Sequence, residues 1–132
     1  MIVIDSSALA KFILREEGWE EVEGFLAGGV LTVELALKEV GNALWVRTRR
    51  EGLDHDYVLE VCRELLKASF IVLANQKELL PDAMHIALRH GLTVYDAIFV
   101  ALALKEGLPL LTADRQQAKA AQEEGLEVVF IG

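Results

Sequence analysis

Met1-Ile2-Val3-Ile4-Asp5-Ser6-Ser7-Ala8-Leu9-Ala10 decides the fold class of this chain. An aliphatic run of strand length stops at a lone acid, and the acid opens a stretch of small residues with helical spacing. The same order recurs further on. Aliphatic runs bounded by turn or cap residues stand at Ile2 to Ile4, Val30 to Leu31, Phe70 to Leu73, Leu110 to Leu111 and Val128 to Ile131. Helical patterns fill the gaps: weaker ones near 7 to 15 and 19 to 27, clear ones over 33 to 51, 54 to 67, 77 to 90, 94 to 106 and 114 to 124. Gly52, Gly91, Gly107 and Gly125 close four of the clear patterns, as glycine does where a helix must turn left-handed to stop. Parallel neighbours in a sheet need a crossover of helix length between them. Five candidate strands separated by helices therefore predict an α/β fold, its sheet mainly parallel and covered on both faces. The echo Asp-Ala-x-x-x-Ala-Leu at Asp82 and Asp96 reads as two similar core helices.

Composition sets the outer limits. A length of 132 residues predicts one domain over 1–132. Hydrophobic residues make up 53% of the chain, too many for a disordered segment and enough to bury a core. The longest apolar run, Ala97 to Leu104, is eight residues, short of the roughly 18 to 20 that span a bilayer, so no membrane is expected. Met-Ile-Val-Ile meets Asp5 at once, without the basic and long apolar regions of a secretion signal. Cys62 is the only cysteine and reads as a small core residue, so a reducing, cytoplasmic setting is expected. With 13 basic against 21 acidic residues the net charge is −8, the wrong sign for gripping nucleic acid by phosphate neutralisation alone.

Most acids lie in polar stretches and read as solvated surface, as at Glu16, Glu17, Glu20, Glu21 and Glu23. Four do not. Asp5 and Asp114 each follow an aliphatic run and precede a helix. Each fits a helix N-cap, and each also fits a ligand site, because ligands of open parallel sheets collect outside the carboxyl ends of the strands. Asp96 is the only charged residue between His90 and Lys105, and the helix it begins is apolar all round. Such a helix is buried, so the carboxylate needs backbone donors or a cation, and Thr93 three residues earlier offers a capping arrangement. Glu39 lies on a long amphipathic helix with Leu35, Val40, Ala43 and Leu44 as expected core contacts. Asn42 follows about 60° round that helix and is placed to orient a carboxylate or a water. Arg50, roughly 16 Å along the same face, fits either a substrate phosphate or the helix C-terminus.

Convergence of these acids would be costly. Two unit charges at 4 Å repel by about 4 kcal/mol at an effective dielectric near 20. Oxygen ligands without a histidine or cysteine cluster suit Mg²⁺ or Mn²⁺ and argue against zinc. His55, His85 and His90 read as structural. A carboxylate-held divalent ion would supply the positive charge that the chain lacks toward a polyanion, and the chemistry expected is phosphodiester hydrolysis.

Asp5 in Val-Ile-Asp-Ser-Ser-Ala, Glu39 in Lys-Glu-Val-Gly-Asn-Ala-Leu, Asp96 in Val-Tyr-Asp-Ala and Asp114 in Leu-Leu-Thr-Ala-Asp-Arg together resemble the PIN-domain ribonucleases, in particular the VapC-type toxins of toxin–antitoxin pairs. The resemblance covers essentially the whole chain. It implies a three-layer α/β/α fold and a Mg²⁺- or Mn²⁺-dependent endoribonuclease for single-stranded RNA, leaving a 5′-phosphate and a 3′-hydroxyl. It also implies a homodimer and an antitoxin partner. By the same resemblance Asp5, Asp96 and Asp114 hold one or two ions and Glu39 holds a second ion or positions water, while Ser6, Thr112 and Asn42 are supporting positions. Two other classes compete. A phosphoryl-receiver domain needs paired acids after the first strand and a lysine after the last, where this chain has Ser6-Ser7 and Gly132. A haloacid-type phosphatase needs an acid at Ser7. A catalytically idle module that only sequesters RNA or a protein partner would keep the same acids. Phe12, Trp19, Phe25 and Trp45 are spaced to build an apolar groove for an antitoxin helix or a second subunit, or to pack in the core.

Overall fold

The computed structural model describes all 132 residues. Five short strands, β1 (Ile2–Ile4), β2 (Val30–Val33), β3 (Ile71–Ala74), β4 (Leu110–Thr112) and β5 (Val128–Phe130), form one sheet in the order β3-β2-β1-β4-β5. Every pairing is parallel, with Val3 beside Leu31 on one side and Leu110 on the other. The helices are α1 (Ser6–Ile13), α2 (Trp19–Leu26), α3 (Glu34–Glu51), α4 (His55–Lys67), α5 (Leu80–His90), α6 (Val94–Glu106) and α7 (Arg115–Glu123), with a 3₁₀ turn at Lys77–Leu79 leading into α5. The class is three-layer α/β/α. All residues of β1, β2 and β4 are buried, as central strands of a sheet covered on both faces must be.

The strands and helices stand where the sequence puts them, with small shifts at their ends. β2 runs two residues past Leu31, because Thr32 and Val33 pair with Leu73 and Ala74 and Val33 itself caps α3 without a loop. α1 stops at Ile13, since Arg15 takes a left-handed φ of 55° and breaks the pattern that reached it. Gly52, Gly91 and Gly107 end α3, α5 and α6 with positive φ.

α6 is the core helix. Its residues Ala97 to Ala103 are all buried, and the helix packs on β1, β2 and β4. Cys62 is only half-buried, because α4 presses a narrow face inward and Leu65 alone on it is buried. Phe12 and Trp19 meet with tilted rings, their centres 6.3 Å apart under Arg15, and Phe70 meets Phe12 edge-on at 6.4 Å. The other two aromatic residues do not join them: Trp45 is exposed beneath Arg49, and Phe25 lies beside Gly24 and Gly28 in a different hollow. No single helix is long and apolar enough to cross a membrane.

Candidate active site

The strand order reverses between β1 and β4, since the chain first adds β2 and β3 on one side of β1 and then β4 and β5 on the other. A crevice outside the carboxyl ends of the strands opens at such a point. Asp5 leaves β1 there and Asp114 follows β4, so two acids 109 residues apart in sequence meet one edge of the sheet.

Asp5 is fully buried. It is the N-cap of α1, accepting the Ala8 N–H at 2.9 Å, and its carboxylate also receives the Ser7 hydroxyl at 2.8 Å and the Thr112 hydroxyl at 2.5 Å. The cap reading of Asp5 is met. Burial raises its pKa from 3.8 to about 6; Thr112, Ala8 and Ser7 pull the other way and Asp114 adds to the rise.

Asp114 caps α7 through the N–H groups of Gln116 at 2.8 Å and Gln117 at 3.1 Å. Its own N–H donates to Thr112 Oγ1 at 3.0 Å. One hydroxyl thus ties both acids, donating to Asp5 and accepting from the backbone of Asp114. Asp96 lies in the first turn of α6, where Thr93 Oγ1 accepts its N–H at 3.1 Å. Desolvation raises the pKa of Asp96, and the charge of Asp114 raises it further. The charge of Asp114 thus acts on both Asp5 and Asp96.

Glu39 enters from α3 and is partly buried, receiving a short hydrogen bond from the Ser6 hydroxyl. Ser6 therefore links the start of α1 to α3 and touches Glu39, not Asp5. Asn42 is exposed, one turn beyond Glu39. Arg50 is exposed near the end of α3, whereas Arg47 is the arginine there that forms ion pairs, with Glu16 and Glu51. His90 bridges α5 to Glu123 and Glu124 of the α7 end, as a structural histidine does.

Two site residues escaped the sequence reading. Ser7 bonds Asp5, accepts the Ala113 N–H at 2.9 Å and approaches the Thr112 hydroxyl at 3.3 Å. Its signal was present, for a hydroxyl two residues after an acid at a helix start commonly folds back on it. Gln117 is buried, and its Nε2 donates to Asp96 Oδ1 at 3.4 Å. A glutamine on an alanine-rich helix carries no such signal.

The residues fit a divalent ion by chemistry. Asp5, Asp96, Asp114 and Glu39 offer oxygens only, and none of them forms a salt bridge to lysine, arginine or histidine. Their partners in the protein are hydroxyls, backbone N–H groups and one side-chain amide, without a cation among them. As the side chains stand, no three acidic, histidine or cysteine groups close on one point; the links are the pairwise ones just described.

A sequence model of the PIN domain matches residues 2–123. The chain belongs to the PIN-domain family. Within that family it is of the VapC type: it is 43% identical over 123 residues to Ribonuclease VapC3 of Pyrobaculum aerophilum, covering 89% of this chain and 92% of that protein. Exonuclease VapC9 of the same organism is 32% identical over 114 residues, covering 86% of this chain and 80% of the relative. Among solved structures, PAE2754 from Pyrobaculum aerophilum superposes with a TM-score of 0.74 at 25% identity, over 97% of this chain and 88% of that one.

Proposed function

We propose that this PIN-domain chain is a Mg²⁺- or Mn²⁺-dependent endoribonuclease acting on single-stranded RNA, the toxin of a VapBC-type pair. The observation that carries the reading is the pair Asp5 and Asp114 tied by Thr112 at the switch point, with Asp96 linked to Asp114 through Gln117 and no lysine, arginine or histidine paired to any of the three. Asp5, Asp96 and Asp114 would hold the ion, with Glu39 beside them. A bound divalent ion supplies positive charge against a phosphate and acidifies water. The chain does the positioning. Asp5 is locked by donors from Ala8, Ser7 and Thr112 and is a rigid pole of the site. Glu39, held by Ser6, takes a proton from the attacking water or orients it. Arg50 lies further along α3, and its exposed guanidinium suits a phosphate of a longer substrate.

The assembly completes the proposal. Leu80, Met84 and Leu88 repeat every four residues along α5 and are 54%, 43% and 79% exposed, and Leu80 and Tyr95 line one hollow. An apolar stripe of that kind supports a homodimer. A groove of about 590 Å³ lined by Phe12, Arg15, Tyr57, Val61 and Phe70 suits an amphipathic antitoxin helix. The half-buried Cys62, without a second cysteine to pair with, is compatible with a cytoplasmic setting.

A labelled single-stranded RNA incubated with the protein tests the enzyme. Cleavage in Mg²⁺ or Mn²⁺ is expected to stop with chelator and to be lost in Asp5→Asn and Asp96→Asn. Glu39→Gln is expected to slow it by about 10² to 10⁴-fold. Equal cleavage by parent and Asp5→Asn would remove the assignment, and binding without turnover would make the protein a sequestering module.

A further inference from the structure

Gln117 Oε1 is the only buried side-chain nitrogen or oxygen in the chain without a hydrogen-bond partner. The residue is 3% exposed and stands in the first turn of α7. Its backbone N–H donates to Asp114 Oδ1 at 3.1 Å and its side-chain Nε2 reaches Asp96 Oδ1 at 3.4 Å. One residue therefore touches two of the proposed ion-holding acids, one from each end. Turning the amide over would aim its oxygen at the Asp96 carboxylate, lone pair against lone pair, so the acid fixes which end is which. The oxygen is left buried with nothing to accept from.

Burying an unsatisfied carbonyl costs free energy that a leucine or methionine of similar size would not incur. The Ser7 and Thr112 hydroxyls donate to Asp5 and the Gln116 and Gln117 N–H groups to Asp114, and none of them reaches Gln117 Oε1. What Gln117 Oε1 lacks is a donor on the side of Asp96, the carboxylate that its own amide nitrogen already reaches. A small divalent cation bound by one or two carboxylates keeps several waters, and each is a strong donor outward.

We propose that Gln117 is a positioning residue of this centre, its Nε2 restraining Asp96 while its Oε1 accepts a hydrogen bond from a water of the hydrated divalent cation. The inference rests on the metal-dependent reading above. It adds a residue that reads the ion through its water, without being one of the acids that hold it.

Mn²⁺ binding to the full chain by calorimetry, paired with thermal melting in EDTA, tests it on the parent, Gln117→Met and Gln117→Glu. Gln117→Met keeps the length and removes the orphan, so its melting midpoint in EDTA is expected to equal or exceed the parent's while Mn²⁺ affinity falls by about 10- to 100-fold. Gln117→Glu keeps an acceptor but loses the donor to Asp96, and is expected to bind Mn²⁺ more tightly than Gln117→Met while melting lower in EDTA because a third carboxylate joins Asp96 and Asp114. Parent affinity in Gln117→Met overturns the proposal. So does an affinity loss matched by a lower EDTA midpoint in that variant, which marks a merely structural glutamine. If the parent itself takes up no Mn²⁺, the metal reading falls and this one with it. An intact parent affinity beside an unaffected Gln117→Met removes the glutamine alone.

Discussion

Asp5 carries the largest consequence of burial in the molecule. Its carboxyl titrates at about 6 in the fold against an ordinary 3.8. Between those two values the folded state holds a proton that the unfolded state has released, so stability falls as pH rises. It is highest below about 4 and the loss is complete above about 6, a change worth about 3 kcal/mol. In metal-free buffer the parent is therefore expected to lose stability across that window relative to Asp5→Asn, which cannot ionise. Denaturant melts of both proteins at pH 4 and pH 7 measure the difference. Added Mn²⁺ should recover stability at pH 7, because an ion favours the charged form. A pH response identical in the two proteins would mean that Asp5 is not desolvated as described. The acid was legible in the sequence as a cap or a ligand; the cap is set by Ala8 within a turn, while the bond to Thr112, 107 residues away, was not legible.

At the scale of elements, the caps do two jobs. Thr93 closes the start of α6 and sets the direction from which Asp96 leaves the helix. Thr93→Ala is expected to cost about 1 kcal/mol of stability. Because it also loosens Asp96, Mn²⁺ affinity should weaken beyond what a stability loss explains; calorimetry on protein kept well below its melting midpoint separates the two. Helical periodicity and closing glycines made α3, α5, α6 and α7 readable, since both signals act within a turn or two of chain. The aromatic residues were less readable. Phe12 and Trp19 came together with Phe70, the residue before β3, while Trp45 and Phe25 went elsewhere. Sequence spacing could place each on a helix but carried nothing about which helix faces met.

The whole molecule is acidic, with net charge −8. RNA binding in chelator is thus expected to be weak, and a divalent ion should strengthen it far more than monovalent salt at equal ionic strength does; filter binding with uncleavable RNA measures this. Assembly gives a second outcome at this scale. Leu88→Asp places a charge on the most exposed member of the α5 stripe, and light scattering should show a dimer of the parent becoming a monomer, with the monomer's fold intact by circular dichroism. A parent that is monomeric at high concentration would leave the stripe to some other partner.

Local chemistry by itself determined the alternation of strand and helix, the helix stops, the burial of α6 and the positions of Asp5, Glu39, Asp96 and Asp114 on their elements. Each of these follows from propensity, periodicity or capping, which operate over a few residues. Only the tertiary structure decided that β4 lies beside β1, and with it that Thr112 bridges Asp5 to Asp114, that Ser7 joins them, and that Gln117 stands against Asp96 with an oxygen unanswered. Apart from the two-residue link from Thr112 to Asp114, those contacts span from 21 to 107 residues of chain. They arise from strand order and helix packing, where the free energy is that of burying whole faces and no short stretch of sequence records the outcome.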